Sequence, residues 1–342
     1  MTTPSVSARP NALDRLRSIY ESPGPYTSLY LPCGAIADTD PIAFFAENRA
    51  QLADKGSPPA ALDALHARCG LPLPDDVGGW ALHAAADGST VVDFAPEGPA
   101  APIMTVGALP MAAPMLEWDQ WRIPHVAVSV GESASEVVTF LPGAEPAISP
   151  LPVDTRSAAS ALRLLAKNEL VRLIVIAEQG GEADELVTRL QGVVPPRTNV
   201  VKLDETDAAT VHRMADATVR YVADVVARDT VRSLEDFRFM QSTGDAVEGN
   251  DASFAALASG NAQMLLVHDD PNDPAAASFG AKPHEVSAVF DHYPSISRRA
   301  DVAIWSAVKQ GVNVRIIPTT SETGPDDNIG VILATAAVAD LA

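Results

Sequence analysis

Three histidines and a run of carboxylates in the last third of the chain are the residues whose types could hold a zinc or manganese ion. They are His268-Asp269-Asp270, Asp273, His284-Glu285 and Asp291-His292. Their spacing matches no short ligand motif: no histidine pair stands four apart on a helical pattern, and all of them fall in or beside loops. A solvated acidic loop is the simpler reading. No metal is therefore expected, and His268, His284 and His292 are the positions where one would have to bind. Cys33 follows Pro32 at the end of a strand pattern, a place where a nucleophile can sit, but no local base stands beside it. Neither a Gly-x-Ser-x-Gly elbow nor a Walker loop nor a Gly-x-Gly-x-x-Gly turn occurs. No catalytic residue and no cofactor is expected.

Charge narrows the partners. The formal net charge is −20, with 24 Lys+Arg against 44 Asp+Glu. The imbalance runs throughout: 6 against 12 in residues 1–115, 13 against 19 in 116–243 and 5 against 13 in 244–342. Non-specific nucleic-acid binding needs lysines and arginines that displace phosphate counterions, so DNA is not an expected partner and any RNA contact must be local. The candidates are Arg213, Arg220, Arg228 and Arg232 on one long helical stretch. Trp121 and Arg122, beside Trp118, are types that stack on a base. The plainer readings are a solvated helix face and packing between domains. No apolar run reaches the ~20 residues that cross a bilayer, and the N-terminus lacks a signal-peptide core. The cytoplasm is the expected address, with no membrane partner.

The element that must position these groups is the stretch 204–244. Neither Gly nor Pro interrupts it before Gly244, and apolar residues from Val211 to Val226 form one stripe, followed by Leu234, Phe237 and Met240. Acidic Asp204, Glu205 and Asp207 suit a helix start and Gly244 a stop. At ~1.5 Å per residue the helix approaches ~50 Å, long for one globular domain.

Strand and helix patterns lie on both sides of it. Before it come a helix over 13–20, a strand over 26–31, helices over 41–53 and 60–69, and a hairpin over 79–94 across Asp87-Gly88, with a further strand over 103–106. Then follow strands over 125–130 and 136–141, a Pro-bearing loop over 143–156, a helix over 157–166, a strand over 170–177, a helix over 183–190 and a strand over 199–203. After Gly244 come a helix over 252–258, a strand over 263–267, an acidic loop over 269–283, a helix over 295–310 and strands over 312–317 and 329–335. The expected fold class is α/β: three consecutive α/β domains over 1–115, 116–243 and 244–342, the middle one a mixed sheet ending in the long helix and the last an α/β/α sandwich.

Residues 244–267, GDAVEGNDASFAALASGNAQMLLV, carry a family resemblance. An apolar residue (Val247), a Gly (Gly249), a helix closing in Ala256-Leu257-Ala258-Ser259-Gly260 and a buried strand through Leu265-Leu266-Val267 look like the opening of the C-terminal domain of archaeal and eukaryotic peptide-chain release factors and Pelota. The order of elements over 118–342 is similar to the middle and C-terminal domains of that family, and residues 1–115 fit by position. The resemblance points to the bacterial branch of the superfamily, Balon-like factors and actinobacterial stress proteins. It implies a ribosome partner through ribosomal RNA and a protein partner through the C-terminal domain.

One departure shapes the expected function. Catalytic members carry Gly-Gly-Gln after the first hairpin of the middle domain. The corresponding stretch here, from Gly143 through Asp154 to Arg156, reads GAEPAISPLPVDTR and has neither Gly-Gly nor Gln. Gln179-Gly180-Gly181 is reversed and lies after another strand, where paired glycines make a turn. The resemblance thus implies a non-catalytic ribosome-binding factor acting in translation stress, hibernation or rescue. Two alternatives remain open: a divergent peptidyl-tRNA hydrolase or nuclease using Asp154, Arg156 or the histidine-bearing loop, and an acidic protein-interaction module that kept the fold and lost the ribosome.

Overall fold

The computed structural model describes residues 11–32, 40–72, 78–95, 99, 101–131, 134–142, 146–179, 182–203, 211–270, 273–318 and 324–334, with the backbone alone at 179 and 211–217. Cys33, Gly143, Gly180, Gly181, the side chain of Arg213, and Asp204, Glu205 and Asp207, expected at the start of the long helix, lie outside that description. The chain is mixed α/β, and its contacts divide it into two compact units: Gln120–Arg232, and Ala12–Asp119 together with Ser233–Ala342.

The first segment of the discontinuous unit contains α1 (Ala12–Ile19), β1 (Tyr26–Pro32), α2 (Pro41–Asp54), α3 (Pro59–Cys69), β2 (Gly79–Ala84), β3 (Thr90–Ala95), β4 (Ile103–Gly107) and α4 (Ala113–Gln120). Its four strands form an antiparallel sheet in the order β3-β2-β1-β4. Asp40 caps α2 by accepting from the Ile42 amide, and a proline fills the first turn, where no backbone donor is needed. One sheet face packs on α2 and α3 through Leu29, Leu31, Phe45, Leu65 and Trp80.

The continuous unit contains β5 (His125–Gly131), β6 (Ser135–Phe140), β7 (Ala147–Leu151), α5 (Thr155–Asn168), β8 (Leu173–Gln179), α6 (Ala183–Leu190), β9 (Asn199–Lys202) and the greater part of α7 (Val211–Thr243). The sheet order is β7-β6-β5-β8-β9, with β5, β8 and β9 parallel and β6 and β7 antiparallel. Alternation along the strands sorts the core. Val126, Val128, Ile174 and Ile176 meet Leu162 of α5 and Leu186 of α6 on one face. Ala127, Leu173, Val175 and Ala177 meet Val222, Val225 and Val226 of α7 on the other.

The second segment of the discontinuous unit adds β10 (Ala246–Glu248), α8 (Asn250–Ser259), β11 (Ala262–His268), β12 (Ala276–Phe279), β13 (Val286–Ser287), β14 (Ser295–Arg298), α9 (Arg299–Gln310), β15 (Asn313–Ile317) and β16 (Ile329–Leu333). Strands β10-β16-β11-β15 make a sheet in which β11 and β15 are parallel, and β13-β12-β14 make a small antiparallel one. Leu234 and Phe237 of α7 cover the face carrying Leu266, Ile317 and Ile332, and α8 and α9 cover the other, giving the expected α/β/α sandwich. Phe237 sits so close to β16 that a Cβ at Gly330 would fall 2.6 Å from its ring. A single hydrophobic core joins the two segments: Leu16, Ile19, Tyr30 and Met115 from the first with Phe254, Leu257, Trp305 and Val308 from the second.

Three expectations are corrected. Part of the loop expected over 143–156 is β7, an edge strand on β6, and the edge position is what tolerates Pro150. The loop expected over 269–283 contains β12. The helix expected from 295 starts at Arg299, because Ser295–Arg298 pairs with Ala276–Phe279 and this non-local ladder overrides the helical pattern.

Candidate functional site

Of the residues singled out in the Gly-Gly-Gln position, Asp154 and Arg156 are described. Asp154 is the N-cap of α5 and accepts from the Ser157 amide at 2.8 Å. These hydrogen bonds lower its pKa. A carboxylate held ionised as a cap is a poor proton donor. Arg156 is exposed in the first turn of the same helix.

Arg220, Arg228 and Arg232 are all on the solvent side of α7. The Arg220 guanidinium lies 4.8 Å from the Tyr221 ring centre and donates to its hydroxyl at 2.9 Å. Arg228 donates to Asn199 Oδ1 at 3.2 Å. Asp224, Glu235 and Asp236 share the exposed surface of this helix, so its charge is mixed. Trp121 packs half-buried against the core under α7, and Arg122 is half-buried beside it. Trp118 instead meets Tyr30 edge-on at 5.5 Å in the shared core of the discontinuous unit.

The histidine-bearing residues of the last third are drawn into ion pairs and loop contacts. Asp269 pairs closely with Arg298, and Asp273 pairs with Arg299 at 2.6 Å. Arg299 also donates to Asn250 Oδ1 at 2.7 Å, tying the start of α9 to the start of α8. His292 stands edge-on to Tyr293, and His284 is exposed. Among the described residues no three His, Cys, Asp or Glu side chains form a group able to hold a metal ion.

Two constellations escaped the sequence reading. The first is a buried ring of hydrogen bonds in the discontinuous unit. Met111 N–H donates to Ser28 Oγ (3.0 Å), Ser28 Oγ lies 2.9 Å from His83 Nδ1, His83 Nε2 lies 3.3 Å from Tyr30 Oη, and Tyr30 donates to the Met111 carbonyl at 2.5 Å. One arrangement of protons satisfies all of it: Ser28 donates to Nδ1 and Nε2–H donates to Tyr30. That arrangement requires a neutral imidazole, and burial indeed pushes the His83 pKa down to about 4. The serine–histidine pair has a nucleophile's geometry, but both residues are fully buried, so its role is to hold Met111 to the sheet.

The second is a carboxylate cluster around Arg298. Asp301, in the first turn of α9, lies 3.5 Å from Arg298 Nη1 and accepts from the Ala112 amide of the other segment at 3.4 Å. Burial raises its pKa to about 7 against the pull of Arg298. Burial likewise raises Asp269 and Glu117, the latter also facing Asp269. The sequence signal was the doubled Arg298-Arg299 within a segment of 244–342 that has only five basic residues.

The resemblance motif is physically realised. Gly249 (φ 82°) precedes α8 and Gly260 (φ 72°) closes it, both in the left-handed region where a side chain is strained. β11 then runs into the middle of the sheet. The molecule so defined is a mixed α/β protein of two units, with the long helix α7 supplying core residues to both.

No family model matches the chain, and no curated protein matches it. Among solved structures it is similar to an archaeal translation termination factor, aRF1 (16% identity over 95% of this chain and 99% of that one, TM-score 0.25). It is similar also to Dom34 of S. cerevisiae, a translation termination-like factor involved in RNA quality control pathways and interacting with Hbs1 (10% identity, 95% and 91%, TM-score 0.41). A third is archaeal Pelota from a model of the ribosome-bound protein with ABCE1 (11% identity, 94% of each chain, TM-score 0.43). Scores this low transfer no residue role. No described helix is long and apolar enough to cross a membrane.

Proposed function

We propose that this chain is a non-catalytic ribosome-binding factor of the release factor and Pelota kind, belonging with the bacterial Balon-like branch and acting in translation stress, hibernation or rescue. It works by occupancy, filling a tRNA-sized site on the ribosome without cleaving an ester. The observation that carries the reading is helix α8 held between Gly249 and Gly260 and leading into β11, since this is the segment that bears the sequence resemblance. The capping role of Asp154 supports the non-catalytic part. The protein partner falls to the acidic C-terminal part of the chain.

Sedimentation with ribosomes tests it. The protein is expected to pellet with 70S particles at low salt and to be released as salt rises, because its cations are few and exposed. Reversing Arg220, Arg228 and Arg232 to glutamate together is expected to weaken pelleting more than tenfold and to flatten the salt dependence by roughly one power of salt concentration per lost phosphate contact. Protein that stays in the supernatant at low salt would refute ribosome binding. It would favour the acidic interaction module, a reading supported by the net charge of −20. For the hydrolase alternative, peptidyl-tRNA incubated with the protein is expected to remain intact by mass spectrometry. Cleavage that disappears in Asp154→Ala would overturn the non-catalytic assignment.

A further inference from the structure

Strands β5, β8 and β9 of the continuous unit run parallel, so their amino ends share one edge of the sheet. Two segments meet at that edge: 163–172, from the end of α5 into β8, and 190–199, from the end of α6 into β9. Thr198 Oγ1 donates to the Val171 carbonyl at 2.7 Å, and the Asn199 amide donates to the Arg172 carbonyl at 2.8 Å. In a chain of 24 Lys+Arg and 44 Asp+Glu, these segments hold Arg163, Lys167, Arg172 and Arg197 against Glu169 alone. Arg172 is balanced by Asp229 of α7 at 2.8 Å, and Arg189 of α6 by Glu185 of the same helix. Arg163, Lys167 and Arg197 are exposed and enter no ion pair among the described residues. The edge is therefore locally positive in a protein of net charge −20.

The apolar side chains here are at odds with folding alone. Leu164 is 59% exposed, Leu170 75% and Val193 46%. Leu170 follows the C-cap of α5, and the Val171 amide closes onto the Ala166 carbonyl at 3.0 Å. This is the Schellman arrangement, whose left-handed position usually falls to glycine. Leu170 occupies it with φ 52°, a conformation that disfavours a side chain, and it gains no burial in return. Arg163 and Lys167 stand four apart on α5, a like-charge spacing that weakens a helix. Folding would favour glycine at 170 and opposite charges at 163 and 167, so the leucine and the paired cations point outward to a ligand.

We infer that this edge docks an acidic segment of a protein partner. The partner's carboxylates meet Arg163, Lys167 and Arg197, and its apolar side chains cover Leu164, Leu170 and Val193. RNA is the poorer occupant. Cations would hold its phosphates, but no aromatic side chain stands in either segment to stack a base, and aliphatic groups add nothing to a phosphate contact. The inference does not depend on ribosome binding.

Fluorescence anisotropy of the full-length protein with a fluorescein-labelled peptide tests it. The probe is a peptide of about fifteen residues made of glutamate, alanine and leucine, with one leucine per helical turn. Saturable one-to-one binding is expected. Replacing the peptide's leucines by serine, or its glutamates by glutamine, should each weaken binding at least tenfold. Leu170→Gly should weaken it at least tenfold while raising the melting temperature by a few degrees, the opposite signs expected of a strained residue kept for a partner. Lys167→Glu combined with Arg197→Glu should abolish binding with the melting temperature little changed. Arg220→Glu, on α7 across the sheet, should leave affinity as it is. Absence of saturable binding, equal binding by Leu170→Gly, a lower melting temperature in that variant, or an equal loss in Arg220→Glu overturns the assignment. Displacement of the peptide by an oligouridylate of the same charge, binding as tightly as the peptide, overturns it in favour of RNA.

Discussion

Replacing Arg298 by alanine is expected to cost the protein about 3–5 kcal/mol of stability at pH 8, the range for breaking a buried ion pair from one side. Arg298 faces two carboxylates that have almost no access to water. The Asp269 side chain is 5% exposed and that of Asp301 3%, whereas the Arg298 side chain is 21% exposed. Deleting the cation leaves both acids buried beside each other, with Glu117 adding a third negative group toward Asp269. Each must then ionise unpaired or hold a proton at a pH where it would otherwise release it. The loss is expected to shrink as the pH falls toward 5, because protonated carboxyls need no counter-charge. Arg298→Lys should recover only part of it, since a compact ammonium on a flexible stem is more strongly hydrated than the guanidinium and lacks the spread of the planar fork that reaches both carboxylates. Urea unfolding followed by circular dichroism at both pH values measures all three. A loss below about 1 kcal/mol in Arg298→Ala at pH 8 would show that Asp269 and Asp301 are solvated in a way their burial denies.

Much of the fold was legible because it is written in local patterns. The stripe Val222, Val225 and Val226 announced α7. Alternation in 125–130 announced β5, and glycines at 249 and 260 announced both ends of α8. What stayed hidden depends on partners far along the chain. β7 carries a proline and exposes four of its five residues, so neither alternation nor apolarity marks it. β12 and β14 are short, serine-bearing and stabilised by each other. The core shared by 12–119 and 233–342 was invisible for the same reason, since nothing in Leu16 or Trp305 names its neighbour. The candidate sites followed suit. The exposure of Arg220, Arg228 and Arg232 could be read from helical phase. The Ser28–His83–Tyr30 ring and the two acids on Arg298 each need segments brought together from distant parts of the sequence.

Asp301→Asn is expected to act in the opposite direction to Arg298→Ala, and the reason lies in which state holds the proton. Burial raises the Asp301 carboxyl to about 7 in the folded protein, against an ordinary value of 3.8. Between these values the folded chain keeps a proton that the unfolded chain has released, so the unfolded state binds fewer protons and stability falls as pH rises. The contribution of the protonated side chain is complete below about pH 4, is lost progressively up to about pH 7, and changes no further above it. Asparagine cannot ionise, and its Oδ1 can still accept from the Ala112 amide, the bond that Asp301 makes across the two segments. Arg298 retains Asp269. The variant should therefore match the unaltered protein near pH 4 and exceed it at pH 8 by roughly 2–4 kcal/mol, on the scale of 1.36 kcal/mol per pKa unit. Taking the difference between the two proteins at each pH removes the contributions of the acids that do not interact with Asp301, leaving its own and its coupling with Asp269. A stability difference that is flat from pH 4 to pH 8 would mean that Asp301 is ionised throughout, paired with Arg298 as an ordinary salt bridge. A difference that grows with rising pH would instead identify the junction of the two segments as the place where the folded protein holds that proton.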